Sequence, residues 1–144
     1  MKEKTYLNIV RGFAFYDILA LAPFALPWIA RLQLETFGQI QEVLGVGGAP
    51  VTAVGPNEMV FFNMLGIVGV GWAIWRLRNL TIELGIFEGW LRAGFALALL
   101  YAGLINGGSG LLLIFGLIDV IAAPLHLLGY RFRIVAEIRP VQTG

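Results

Sequence analysis

The sequence contains no cysteine. Disulfides, thiolate metal sites and thiol redox chemistry are therefore excluded. It contains one histidine, His126, too few for a His-cluster metal centre or for a haem held by two histidines of this chain. No metal ligand set and no cofactor motif is evident. Charge is scarce as well: charged residues make up 13% of the chain, while hydrophobic residues make up 58%. Soluble domains run closer to a quarter charged. A formal net charge of +1 supplies no field of the kind that draws nucleic acid. Phosphate-binding loops, dinucleotide fingerprints, zinc-protease motifs and nucleophile elbows are all missing.

What remains is apolar chain in long stretches. A spanning helix needs roughly 20 mainly apolar residues, and four segments meet that: about 8–30, 58–75, 86–105 and 110–130. The reading is all-α, a single membrane-spanning four-helix bundle over 1–144. The first stretch is too long for a signal-peptide core and reads as a retained helix. Residues 31–57 form a long outer connection. Within it Phe37, Ile40 and Leu44 share a helical face, while Gln33, Glu35, Gln39 and Glu42 lie largely elsewhere. That pattern predicts an amphipathic segment lying in the interface, followed by irregular chain from Gly45 to Pro56. Pro56-Asn57 reads as a helix cap. Trp75 to Gly85 reads as a short charged loop, and Asn106 to Gly110 as a tight neutral turn.

Basic residues set the orientation. With the N-terminus inside, the inner side carries Lys2, Lys4, Arg11, Arg76, Arg78, Arg131, Arg133 and Arg139, and the outer side only Arg31. Both termini are expected in the cytoplasm. Trp28, Trp75, Trp90 and Tyr130 fall near helix ends, where interfacial aromatics sit.

Charged groups inside a membrane are costly and are functional candidates by default. Asp17, Arg92 and Asp119 stand out, with Asn63, Glu88 and His126 in support. At about 1.5 Å per residue, Asp17 lies roughly 12 Å, Arg92 roughly 9 Å and Asp119 roughly 16 Å from the inner ends of their helices. Arg92 can therefore reach Asp17, Asp119 or both. Glu88 and Arg92 share a face at a spacing of four, as do Asp119 and His126 at seven. Asn63 lies nearer the outer side. This polar seam reads equally as structural glue that sets helix register or as a ligand or proton site. Glu88 and His126, close to the interface, read as snorkelling or backbone-bound side chains. Gly66, Gly69 and Ala73 on the second span, and Gly94, Ala98 and Ala102 on the third, form faces of small residues that permit close helix approach.

Several features resemble the DoxX-like group of small bacterial four-helix membrane proteins. They are Arg11-Gly12 opening the first helix, the Leu34–Leu44 amphipathic segment followed by Gly45-Val46-Gly47-Gly48-Ala49-Pro50, the Gly-rich run Gly66 to Gly71, and the four-span layout. The Gly-and-Lys pattern at the end of that family's first helix is replaced here by Pro27-Trp28-Ile29-Ala30-Arg31. The resemblance implies a bacterial inner membrane and an accessory or quinone-linked role, and carries over no site residues. Three functions fit the sequence: an accessory or self-associating subunit of a membrane complex; a binding protein or enzyme for a lipophilic molecule such as a quinone, isoprenoid or lipid; and a proton-coupled small transporter using Asp17.

Overall fold

Proline sets the first boundary. Pro27 has no N–H to donate and disfavours helical backbone at the residue before it. Leu26 accordingly turns extended (φ −110°, ψ 107°). In a computed structural model, which describes residues 1–52 and 54–138, the chain forms α1 over Glu3–Ala25 and breaks at Leu26. It then forms α2 over Pro27–Leu44, α3 over Pro56–Arg78, α4 over Ile82–Leu104, α5 over Gly110–Leu127 and α6 over Gly129–Ile138. Every regular element among the described residues is α-helix. Arg139, one of the inner-side cations of the sequence reading, lies outside the described residues.

Four stretches are long and apolar enough to cross a membrane: Glu3–Ala25, Pro56–Arg78, Ile82–Leu104 and the nearly continuous Gly110–Val135. At about 1.5 Å per residue each exceeds the roughly 30 Å of hydrocarbon in a bilayer. The chain is accordingly an integral membrane protein with an all-α bundle. Large apolar side chains such as Leu19, Val68, Leu97 and Ile121 project outward, where lipid solvates them.

The boundaries differ from the expected ones for local reasons. The first span starts a turn and a half earlier than residue 8 and ends at Ala25, because Pro27 cuts it. The expected outer connection 31–57 is helical to Leu44, where Gly45 closes α2 in the left-handed region (φ 62°). Gly55, not Pro56-Asn57, caps α3. Only Asn79-Leu80-Thr81 separate α3 from α4, so Arg76 and Arg78 belong to a helix rather than to a charged loop.

The amphipathic face of α2 also differs. Ala30, Leu34 and Gln41 are buried, and Phe37 packs with Leu34 against Phe24, Met59 and Phe62. Ile40 and Leu44 are exposed. The buried spacing is four, three and four, so Phe37 shares its face with Gln41 instead of Ile40 and Leu44. The reason is tertiary: Gln41 has polar partners at this end of the bundle, which a hydropathy pattern cannot show. Its Oε1 accepts from Ser109 Oγ at 2.8 Å. Its Nε2 lies 3.3 Å from the Gly47 carbonyl oxygen.

The spans associate as two pairs: α1 packs chiefly on α3, and α4 chiefly on α5. Small residues permit both approaches. A Cβ at Gly66 would lie 2.4 Å from the Ala25 nitrogen and 2.5 Å from the Phe24 carbonyl carbon. Gly103 and Gly116 do the same against Leu113 and Leu100. At the end away from the termini, residues 47–49 hook onto the α4–α5 turn. Ala49 N donates to Gly107 O at 2.9 Å and Gly110 N to Gly47 O at 2.7 Å. At the terminal end the fully buried Tyr6 donates from its hydroxyl to His126 O at 2.8 Å, fastening α1 to α5.

Candidate ion-cluster site between the helix pairs

Each span turns one stripe inward, and each stripe carries ionisable side chains. On α1 the buried positions Val10 and Ala14 lead to Asp17. On α3, Gly66, Gly69 and Ala73 lead to Arg76. On α4, Glu88 and Arg92 are buried one turn apart, followed by Ala96. On α5, Asp119 precedes Ala122, Ala123 and His126. All these spacings are three or four residues, so the side chains converge on one layer between the α1–α3 and α4–α5 pairs.

Arg92 is the centre of that layer. Its Nη2 donates to Asp17 Oδ1 and Oδ2 at 2.8 and 2.7 Å. Its Nη1 donates to Asp119 Oδ1 at 2.7 Å. Its Nε lies 3.3 Å from Glu88 Oε1, close enough for an ion pair though not aligned as a hydrogen bond. The guanidinium also lies over the Phe13 ring, 4.8 Å from its centroid, and Phe13 stands 4.9 Å from the His126 ring on centroids. A cation over an aromatic face gains from the ring quadrupole.

Arg76 supplies the second cation. It pairs with Asp17 and with Glu88 and is completely buried. Trp72 Nε1 donates to Glu88 Oε2 at 3.0 Å. The cluster thus joins all four spans: Asp17 from α1, Arg76 from α3, Glu88 and Arg92 from α4, and Asp119 from α5. Between α3 and α4, whose backbones scarcely approach, Arg76 and Trp72 both reach Glu88.

The six residues singled out from sequence take different places. Asp17, Arg92, Asp119 and Glu88 meet in the cluster. Glu88 is 3% exposed and paired with Arg76 and Arg92, so it does not snorkel; α4 begins a turn earlier than expected and turns Glu88 inward. His126 is fully buried too, held by a 2.8 Å contact from Nδ1 to Ala122 O, with no hydrogen-bond partner at Nε2 among the described residues. Of its two expected roles it takes the backbone-bound one and does not snorkel. Asn63 stands apart from the cluster. Its Nδ2 donates to Phe24 O at 2.8 Å, satisfying a carbonyl left over where α1 breaks.

The sequence pattern places Arg76 in a loop. A signal for it existed, because Gly66, Gly69 and Ala73 continue by one step of the same stripe to residue 76. Trp72 and Tyr6 had no such signal.

Two cavities lie at the other end of the bundle. One of about 330 Å³ is apolar, bounded by Phe24, Phe37, Phe62, Phe115, Pro50 and Ser109 among others. One of about 430 Å³ runs beside Glu35, Gln39, Gln41 and Gly47. None of the five charged residues of the cluster lines either cavity. Among the described residues no group of three acidic or histidine side chains is arranged to hold a metal ion. No family model, curated protein or solved structure matches the chain.

Proposed function

We propose that the chain serves as a small membrane subunit that associates with copies of itself or with a larger membrane complex, and that the ion cluster is the clasp that fixes its shape. The observation that carries this reading is the mutual pairing of the cluster. Asp17, Glu88 and Asp119 each face a guanidinium, an arrangement that sets helix register rather than presenting a reactive group to a substrate. Asp17 is engaged by both Arg76 and Arg92, which argues against the transporter reading.

Small residues facing outward support association. Gly94 and Gly71 have open space where a Cβ would stand, whereas Gly66, Gly89 and Gly103 are closely packed. Without a hydrophobic drive in lipid, helices associate through such close approaches. We place both termini in the cytoplasm of a bacterial inner membrane, on the excess of Lys2, Lys4, Arg11, Arg78, Arg131 and Arg133 over Arg31. Kinship with the DoxX-like group belongs to the same proposal.

The test is subunit counting by single-molecule photobleaching in native-lipid nanodiscs, together with mild extraction and partner identification. A defined oligomer or a stoichiometric partner is expected, lost or weakened in Gly94→Leu. A lone monomer in both preparations refutes the reading.

A second reading draws on the apolar cavity of about 330 Å³. Its phenyl lining with one hydroxyl suits a lipophilic molecule of quinone, isoprenoid or lipid type. Native mass spectrometry of the purified protein tests it: a retained lipophile, lost in Phe115→Ala but kept in an exposed control such as Leu97→Ala, is the expected result.

A further inference from the structure

We infer that the ion cluster binds one proton and that Asp119 holds it, as a neutral acid within the membrane-spanning bundle. This does not depend on the assembly proposed above; it needs only that the bundle lies in lipid.

The first step is charge balance. Asp17, Glu88 and Asp119 face Arg76 and Arg92. Guanidiniums do not deprotonate in proteins. Three ionised carboxylates against two guanidiniums leave one negative charge unmatched in a buried layer. An unmatched buried charge is costly enough that the group neutralises instead.

The second step is which group takes up the proton. Asp17 is held by both guanidiniums, and Arg92 reaches both of its oxygens. Glu88 faces Arg76 and Arg92 and also accepts from Trp72. Asp119 has one bond, from Arg92 to Oδ1. Its Oδ2 has no donor among the described residues, so it is the carboxylate least compensated as an anion and the one with an oxygen left to carry hydrogen.

The surroundings leave no better counter-charge. Facing Asp119 are Asp17 and Tyr16 from α1 and Glu88 and Arg92 from α4, while His126 of its own helix faces Arg92, Glu88 and Arg76. A protonated His126 would balance the cluster. But its Nδ1 is already directed at Ala122 O, and a second N–H at the buried Nε2 would find no acceptor among the described residues. The geometry therefore keeps the imidazole neutral and the proton on Asp119.

The chain has only two aspartates, Asp17 and Asp119, which makes the inference directly readable. The experiment is infrared spectroscopy of the full chain in lipid nanodiscs at neutral pH, with and without carboxyl-13C aspartate. The expected spectrum has one protonated-carboxyl C=O band that downshifts in D2O and with the label. In Asp17→Glu the label shift persists; in Asp119→Glu it disappears; in His126→Gln the band is unchanged. The wild-type spectrum alone overturns the inference if it shows no such band, or a band the aspartate label does not move. A label shift kept in Asp119→Glu and lost in Asp17→Glu assigns the proton to Asp17 and also overturns it. Unchanged amide bands verify that each variant is folded.

Discussion

Replacing Arg92 with leucine removes the guanidinium that bridges Asp17 and Asp119. In the native bundle it donates to both oxygens of Asp17 and to Asp119, and touches Glu88. After the change the three carboxylates share only Arg76. Removing one partner of a buried ion pair costs about 3–5 kcal/mol, because the remaining charge is left uncompensated. Asp17 keeps its pairing with Arg76, which relieves part of that penalty, so the expected loss is about 3 kcal/mol, on the order of a hundredfold in the folded-to-unfolded ratio. Arg92→Lys keeps the charge but not the fork. One ammonium cannot reproduce the bridging, and a loss of about 1.5–3 kcal/mol is expected. The double change Arg92→Leu with Asp119→Leu removes the Asp119 carboxyl along with the guanidinium that donates to it, so no unsatisfied acceptor is left behind. It should be more stable than Arg92→Leu alone, by about 1 kcal/mol or more of coupling. Reversible unfolding in bicelles, followed through the native tryptophans or by steric trapping, measures all three. If Arg92→Leu stays within about 0.5 kcal/mol of the native chain, the variation common at featureless surface sites, the clasp is not what holds the two helix pairs in register.

Gly66→Val should cost about 1–3 kcal/mol, since its first added carbon meets the backbone of Phe24 and Ala25 and must part α1 from α3. Gly71→Ala, with open space around it, should be neutral or gain about 0.5–1 kcal/mol; thermal melts of the two in the same lipid compare them. Asn63→Leu leaves the Phe24 carbonyl without its donor and should cost about 1–3 kcal/mol, with faster hydrogen exchange around the Leu26 break; unaltered exchange there counts against this role. Ser109→Ala removes both the hydroxyl that Gln41 accepts from and the cap of Leu111 N. The expected cost is about 0.5–2 kcal/mol, seen as easier proteolysis within residues 45–55.

The sequence by itself determined the solvent and the element type. Apolar runs of spanning length with so few charges leave helices in lipid as the stable arrangement, since backbone groups there must be satisfied within the segment. Asp17, Arg92 and Asp119 were legible for the same reason: charges in such runs are conspicuous. Their reach was legible too, because helical rise fixes depth. Only the tertiary structure decided what Arg76 is. A guanidinium three residues after Ala73 and close to a helix end is equally at home in headgroups or in a core. The outcome rests on α3 running on through Arg78 with its small-residue stripe turned toward α1, and on Glu88 standing across from it. The same holds for Gln41, which hydropathy assigns to a polar face and the α4–α5 turn buries through Ser109, and for His126, drawn inside where Tyr6 fastens α1 to α5. Periodicity tells which residues share a face. It cannot tell which neighbour that face meets, and for a polar side chain in a membrane the neighbour decides whether burial is a penalty or a bond.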